Sequence, residues 1–344
     1  MAISIADLAI IANYAITNYI KRSTDQLTQN RPLLKFLFAH RKKMLAGPGE
    51  SENIIKDYAS NFAFGYGDGA IAFNERNPTV QNMFSWARAT DAFKISHDRL
   101  VAAGIMVREG KRGEFHTTDN EKAIISNLLA DNMYVLKEGF YKNLDLHLHR
   151  DGTASTDAIA GLDALVSTTP TTGTIGNISR ATNTWWRNYA QTAVAASGLL
   201  AAMEAAWRAC IRNGGTPDFI LAGSKFIDAY RTCITLTQNV DAGAVKKIDG
   251  GTGSGIDTGL FFKGIQLTWD PTMDDLATIE STADTAWDKR CYFINSDHLK
   301  YKDNGIDVVQ PTRPYNVLAV YQMMVWRGLL SSNRLSAHAV LSVA

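Results

Sequence analysis

The chain has 344 residues, 35 Lys and Arg against 34 Asp and Glu, and a formal net charge of +1. That length buries one large core or two medium ones, and with 46% hydrophobic residues it excludes a mainly disordered chain. The near-zero charge excludes a strongly basic nucleic-acid binder, because no overall positive field exists to hold phosphates.

Residues 1–46 are expected to form a helical arm. Leu8, Ile11, Ala15 and Tyr19 recur at helical spacing, and Leu33, Leu34, Leu37 and Phe38 start a second run after Pro32. Asp7, Asn13, Thr17 and Asn18 interrupt the apolar stretch from Ile3 to Ile20, so neither a signal peptide nor a membrane span is expected there. The arm carries Lys21, Arg22, Arg31, Lys35, Arg41, Lys42 and Lys43 against Asp7 and Asp25. This is either a solvated face or a contact for a polyanion or an acidic partner.

Gly47-Pro48-Gly49 breaks the helix. From Ile54 to Ile95 the texture is aromatic, β-branched and Gly-rich, which predicts two long strands joined by a polar tip. Such a ribbon is marginal alone in water and must lie on something else. Thr118-x-x-Glu121 fits a capping box, and Ile125, Leu129, Met133, Leu136, Phe140 and Leu144 mark one face of a long helix. That helix should run for roughly 25 residues and end before Asp151-Gly152. A Thr- and Gly-rich loop follows, holding the short apolar patch Ile159–Val166.

A second helix is predicted from about Thr184 to Arg212, with Leu200, Met203, Trp207 and Ile211 as its stripe. Phe219–Leu221 is a predicted strand, and Ser224 a predicted cap for a helix through Cys233. Residues 239–257 form a Gly-rich loop before strands at Leu260–Phe262 and Ile265–Trp269. Asp270–Asp288 holds six acidic residues and no basic one, and is expected to be a solvated excursion. The end of the chain is β-rich, at Cys291–Ile294, Leu299–Tyr301, Val317–Trp326 and Ala337–Val343. The order of elements is α+β with non-local closure and not a βαβ series.

No enzyme constellation emerges. Gly250–Gly255 lacks the Gly-Lys-Ser/Thr ending of a phosphate loop. His147 and His149, with Asp145 and Asp151 nearby, have metal-ligand types, but positions two apart on a helix end point to different faces. Cys210, Cys233 and Cys291 lie far apart with no Cys-x-x-Cys pair, so neither disulfides nor a zinc knuckle are expected, and the Cys210 and Cys233 thiols, on or beside apolar helix faces, should be buried and inert. A reduced, cytoplasmic place of synthesis fits this pattern. No Gly-x-Ser-x-Gly elbow occurs. The tandem Trp185-Trp186, followed by Arg187, is the least ordinary feature: adjacent positions cannot both face one core.

Five strings in order carry a resemblance. They are Trp86 leading into Phe93-Lys94-Ile95-Ser96; Asp151-Gly152-Thr153-Ala154; Ile159 through Val166; Thr174 through Arg180; and Thr184-Trp185-Trp186-Arg187-Asn188. Together they resemble the major capsid proteins of tailed double-stranded DNA phages, whose Hong Kong 97-type fold is shared by encapsulin nanocompartments. Similar capsid proteins tend to read Gly-Gly-Ile where this chain has Gly176-Asn177-Ile178.

The resemblance implies an N-terminal arm at 1–46 and an extended hairpin (E-loop) at 47–96. It implies a peripheral domain with a spine helix at 97–180 and 296–344, and an axial domain at 181–295. It implies a non-enzymatic shell subunit without cofactor or metal, assembling into pentamers and hexamers around packaged double-stranded DNA in a virion. Assembly would take place in the host cytoplasm, with no membrane involved. Scaffold, portal and decoration proteins and weak non-specific DNA contact are the implied partners. No scaffolding-type extension precedes the arm, so a separate scaffold or self-sufficient assembly is expected. Phe73, Phe84, Trp86, Trp185, Trp186 and Arg187 are the candidate inter-subunit residues. An encapsulin-like compartment and a hydrolase built on scattered Ser, His and Asp are the competing readings.

Overall fold

The computed structural model describes residues 27, 29–44, 47–58, 60–62, 64, 73, 75–96, 98, 119–212, 214–237, 257–280, 286–312 and 319–344. The chain divides into two units. One is built from Arg88–Leu144 and Gly305–Arg327 and the other from Asn30–Ala87, Asp145–Asn304 and Gly328–Ala344. The apolar run at Ile3–Ile20, the capping Thr118 and the Gly250–Gly255 loop lie outside the described residues.

In chain order, α1 is Pro32–Ala39, β1 Lys42–Lys43, β2 Gly49–Ile55, β3 Thr79–Ser85 and β4 Ala87–Ser96. The long helix α2 spans Asp119–His149, starting one residue after Thr118 as the capping motif predicts. Leu136, Phe140 and Leu144 of the predicted stripe are buried, and buried Leu148 continues their four-residue spacing. Then come α3 Leu162–Leu165, β5 Thr174–Ile175, β6 Ile178–Ser179, β7 Tyr189–Val194, α4 Leu199–Arg212, β8 Phe219–Ala222 and α5 Ser224–Thr237. The chain ends with β9 Asp257–Phe262, β10 Ile265–Trp269, α6 Pro271–Ile279, β11 Arg290–Ile294, β12 Leu299–Thr312, β13 Ala319–Ser332 and β14 Ala339–Val343.

The larger unit centres on a six-stranded sheet of order β7-β14-β11-β8-β10-β9. The central strands β11 and β14 are buried at every position, as strands covered on both faces must be. Leu199, Ala202, Met203, Ala206 and Cys210 of α4 pack with Phe226, Ile227, Tyr230 and Cys233 of α5, and with Ile220, Phe293 and Leu341 of the sheet. In the smaller unit, buried Gln322, Met324 and Trp326 of β13 alternate with half-buried or exposed neighbours, the period-two pattern of a strand with one covered face.

Three sequence expectations are corrected. The helix predicted from Thr184 begins only at Leu199, because Tyr189–Val194 pairs in parallel with β14. Asn188 blocks an earlier start by spending its amide on Ser167 and Tyr189 backbone groups. The buried stripe is also shifted: Leu200 and Trp207 are half-buried and Ile211 is exposed, while alanines let α4 approach the sheet closely. Ser224 does not cap α5. It is the first helical residue, and both its N–H and its hydroxyl donate to Asp274. Finally, the described part of 270–288 is no solvated excursion. Asp270 is fully buried and caps α6 by accepting from Thr272 N, while Met273 and Leu276 are fully buried.

Gly176 and Asn177 form the two-residue turn between β5 and β6, with φ of 57° and 64°. Both values lie in the left-handed region that a type I′ turn requires, and Asn tolerates it because its short amide bonds locally. The turn is therefore kept although the second Gly of similar sequences is absent. Asn177→Ala is expected to cost about 1 kcal/mol and Asn177→Gly almost nothing. The shift of the denaturant midpoint checks both.

Candidate assembly surfaces

β2 and β3 pair antiparallel in unbroken register from Gly49↔Ser85 to Ile55↔Thr79. Beyond the last pair, Lys56 N–H donates to the Pro78 C=O at 2.8 Å. The root is fixed to the body by β3. The Asn82 amide accepts from Glu52 N–H and donates to the Ser332 carbonyl. Met83 N–H donates to the Gly176 carbonyl. Phe84 is buried against Gly176, where an added Cβ would meet its ring at 3.1 Å.

The tip is the opposite. Tyr58 is 89%, Phe62 76%, Phe64 94% and Phe73 88% exposed. Phe62 and Phe64 touch only edge to face, with centroids 5.0 Å apart. Scattered single apolar residues on a surface need no explanation, whereas these four large aromatics all fall in the one segment between β2 and β3.

The tandem tryptophans lie on a 3₁₀ turn, Thr184–Trp186, and not on the start of a helix. Trp186 is fully buried and its indole N–H donates to the Ile175 carbonyl at 3.0 Å. Trp185 is half-buried, with its ring 5.7 Å from that of Trp186. Arg187 turns its guanidinium onto the carbonyls of Arg180 and Ala181. Of the six candidate contact residues, Phe73 is thus fully presented, Trp86, Trp185 and Arg187 partly, and Phe84 and Trp186 are interior. Tyr58, Phe62 and Phe64 were missed by the sequence reading. The available signal was their place as aromatics between strands, in a segment with no apolar period to bury them.

The histidine chemistry is structural. His149 is fully buried at the end of α2, while His147 and Asp151 face elsewhere; Asp151 only accepts from the N–H and hydroxyl of Thr153. His149 Nδ1 donates to the Asp145 carbonyl and Nε2 to Asp270 Oδ2, both at 2.8 Å. Asp145 Oδ2 in turn accepts from the Thr272 hydroxyl at 2.6 Å. One ligand atom each from Asp145, His149 and Asp270 lie within 4.8 Å of one another. With both ring nitrogens donating, however, the imidazole offers a metal no lone pair. Burial alone would favour the neutral ring, but the charges of Asp270 and Asp145 outweigh it and raise His149 to about 9. Burial, with the Asp270 charge, raises the Asp145 carboxyl.

A Ser–His contact exists at Ser332 and His338, 3.5 Å from Oγ to Nε2. His338 Nδ1 accepts from Asn295 N–H, so Nε2 carries the proton and cannot take one from Ser332. Burial pushes His338 down to about 3. All three cysteines are buried, and burial raises the thiols of Cys210 and Cys291. Among the described residues no helix is long and apolar enough to cross a membrane.

No family model and no curated protein matches the sequence. Solved structures do. A chain of the Cyanophage A-1(L) capsid asymmetric unit superposes with a TM-score of 0.62 at 17% identity, over 94% of this chain and 95% of that one. A chain of the capsid of Myoviridae Phage XM1 gives 0.55 at 12%, over 95% and 97%. A capsid chain of a native GTA particle gives 0.52 at 14%, over 94% and 95%. The chain therefore has the fold of phage capsid subunits. That fold is the Hong Kong 97-type, α+β as expected, spanned nearly from end to end.

Proposed function

We propose that this chain is the structural subunit of an icosahedral capsid, assembling into pentamers and hexamers that enclose packaged double-stranded DNA in a virion. The observation that carries the reading is the capsid-subunit fold over almost the whole chain. The hairpin adds to it, since Tyr58, Phe62, Phe64 and Phe73 between its strands are exposed. The mechanism is binding without turnover. Each buried aromatic contributes about 1.5–3 kcal/mol, so four tip residues offer about 6–12 kcal/mol per hairpin before the cost of association. Symmetry repeats that contact at every subunit, and a closed shell leaves no hairpin unpaired.

Phe73, with Trp86, Trp185 and Arg187 where they are exposed, belongs to this contact; Phe84 and Trp186 support it from inside. Scaffold, portal and decoration proteins and assembly in the host cytoplasm belong to the same proposal. A net charge of +1 supports weak, non-specific contact with the packaged DNA, because tight binding needs a positive field.

Electron microscopy of the purified protein tests the reading. Uniform closed shells or capsomers are the expected result. A monomer by sedimentation at every concentration, with no particles, overturns it. Genome-length DNA inside native particles separates a virion shell from a compartment holding enzyme cargo.

A further inference from the structure

The first five residues of β2, Gly49-Glu50-Ser51-Glu52-Asn53, contain no apolar side chain, so hydrophobic packing of this strand does not aim the hairpin. Charge replaces it. Glu50 and Glu52, two apart, lie on one side of β2 and pair with Lys302 and Lys300, two apart on β12. All four side chains are half-buried or better, with the Glu50–Lys302 pair only 11% and 12% exposed. The intervening positions of β12 point the other way: the Tyr301 ring meets Phe38 of α1 at a tilt, its hydroxyl donates to Asp303, and Asp303 pairs with Arg41.

Asn82, Met83 and Phe84 hold the root on its β3 side, but with one ion pair the β2 side could still swing about them. Two pairs, two residues apart along both strands, fix its direction, and shielding from water makes each stiffer than a surface pair. We infer that Glu50, Glu52, Lys300 and Lys302 form an electrostatic latch that sets the hairpin's direction and so positions its tip for the neighbouring subunit. The last part rests on the capsid reading; the latch itself does not.

The test measures direction and assembly separately. Spin labels are placed through Phe73→Cys and Thr278→Cys, both exposed positions, and the native cysteines are buried. In dispersed chains the label-to-label distance distribution is expected to broaden about twofold in Glu50→Lys/Glu52→Lys, where four cations face one another. The fourfold charge swap, adding Lys300→Glu/Lys302→Glu, is expected to narrow it again, and shell yield should fall about tenfold and recover in parallel. Circular dichroism and thermal melting identify folded variants. If the double reversal does not fold, Glu50→Gln/Glu52→Gln supplies the same distance measurement. Unchanged distances in folded variants overturn the latch, as does a swap that restores neither distance nor yield. Broadened and rescued distances in a protein that never forms shells support the latch and count against the capsid reading.

Discussion

Replacing residues 57–77 with Asn-Gly is expected to leave a folded chain that no longer closes into shells. The cut removes Tyr58, Phe62, Phe64 and Phe73, all exposed. It keeps the β2–β3 ladder and the fasteners at Asn82, Met83 and Phe84. Lys56 and Pro78 already face each other at 2.8 Å, so a two-residue turn can join them, and Asn-Gly is the sequence a type I′ hairpin turn favours. The melting temperature of dispersed protein should change by no more than a few degrees, since the described residues that are removed are exposed apart from half-buried Asn61. The contact between copies should lose several kcal/mol, and even about 3 kcal/mol is more than a hundredfold in affinity. Sedimentation and electron microscopy would show monomers or capsomers. Normal shells from the shortened chain would remove the hairpin from the assembly mechanism. A larger cut reaching past Thr79 would be uninformative, because it would also take Phe84 out of the body.

Asp270→Ala is expected to destabilise the subunit by about 4–6 kcal/mol, through loss of the α6 cap and of the partner for a buried imidazolium. Asp270→Asn separates the two contributions, for it can still accept from Thr272 N–H while losing the charge. The pH dependence follows from His149. Its value in the folded chain lies above the ordinary 6.5, at about 9, with burial opposing and the Asp270 and Asp145 charges prevailing. The stabilisation is therefore complete below pH 6.5 and is lost as the pH rises through about 9, about 3 kcal/mol in all. Asp145 acts in the same direction. Burial raises its carboxyl, so its ionisation also weighs against the fold as the pH climbs. Denaturant midpoints of dispersed protein between pH 6 and 10 should fall steeply for the natural chain and much less for Asp270→Asn. Parallel curves would show that the imidazolium is not the source.

Local order was legible wherever a pattern is self-contained. The α2 stripe at Leu136, Phe140 and Leu144, the stop before Asp151-Gly152, and the strands at Phe219–Leu221 and Ile265–Trp269 stand where periodicity and turn residues put them. β7 was not legible. The run Tyr189-Ala190-Gln191-Thr192-Ala193-Val194 leads into an Ala-rich helix and carries no strand alternation of its own, and only pairing with β14, about 150 residues away, makes it extended. Asp270 failed for a related reason. An acidic stretch is solvated unless something distant neutralises it, and His149 does so from 121 residues away.

The sequence by itself determined the α+β class, the long helix with its stop before Asp151-Gly152, and the absence of an elbow or phosphate-loop motif. These depend on neighbours within a few turns of chain, and the strings at Trp86, Asp151, Ile159, Thr174 and Thr184 carry the resemblance in order. Only the tertiary structure decided which aromatics are free. Phe73 and Phe84 are alike in sequence, yet one is 88% exposed and the other closes over Gly176. It also decided that Lys300 and Lys302 meet Glu52 and Glu50 across some 250 residues. Composition had shown only a balance of +1. Charge balance is a sum over the chain, whereas pairing depends on where the fold brings each charge, and no local pattern encodes that.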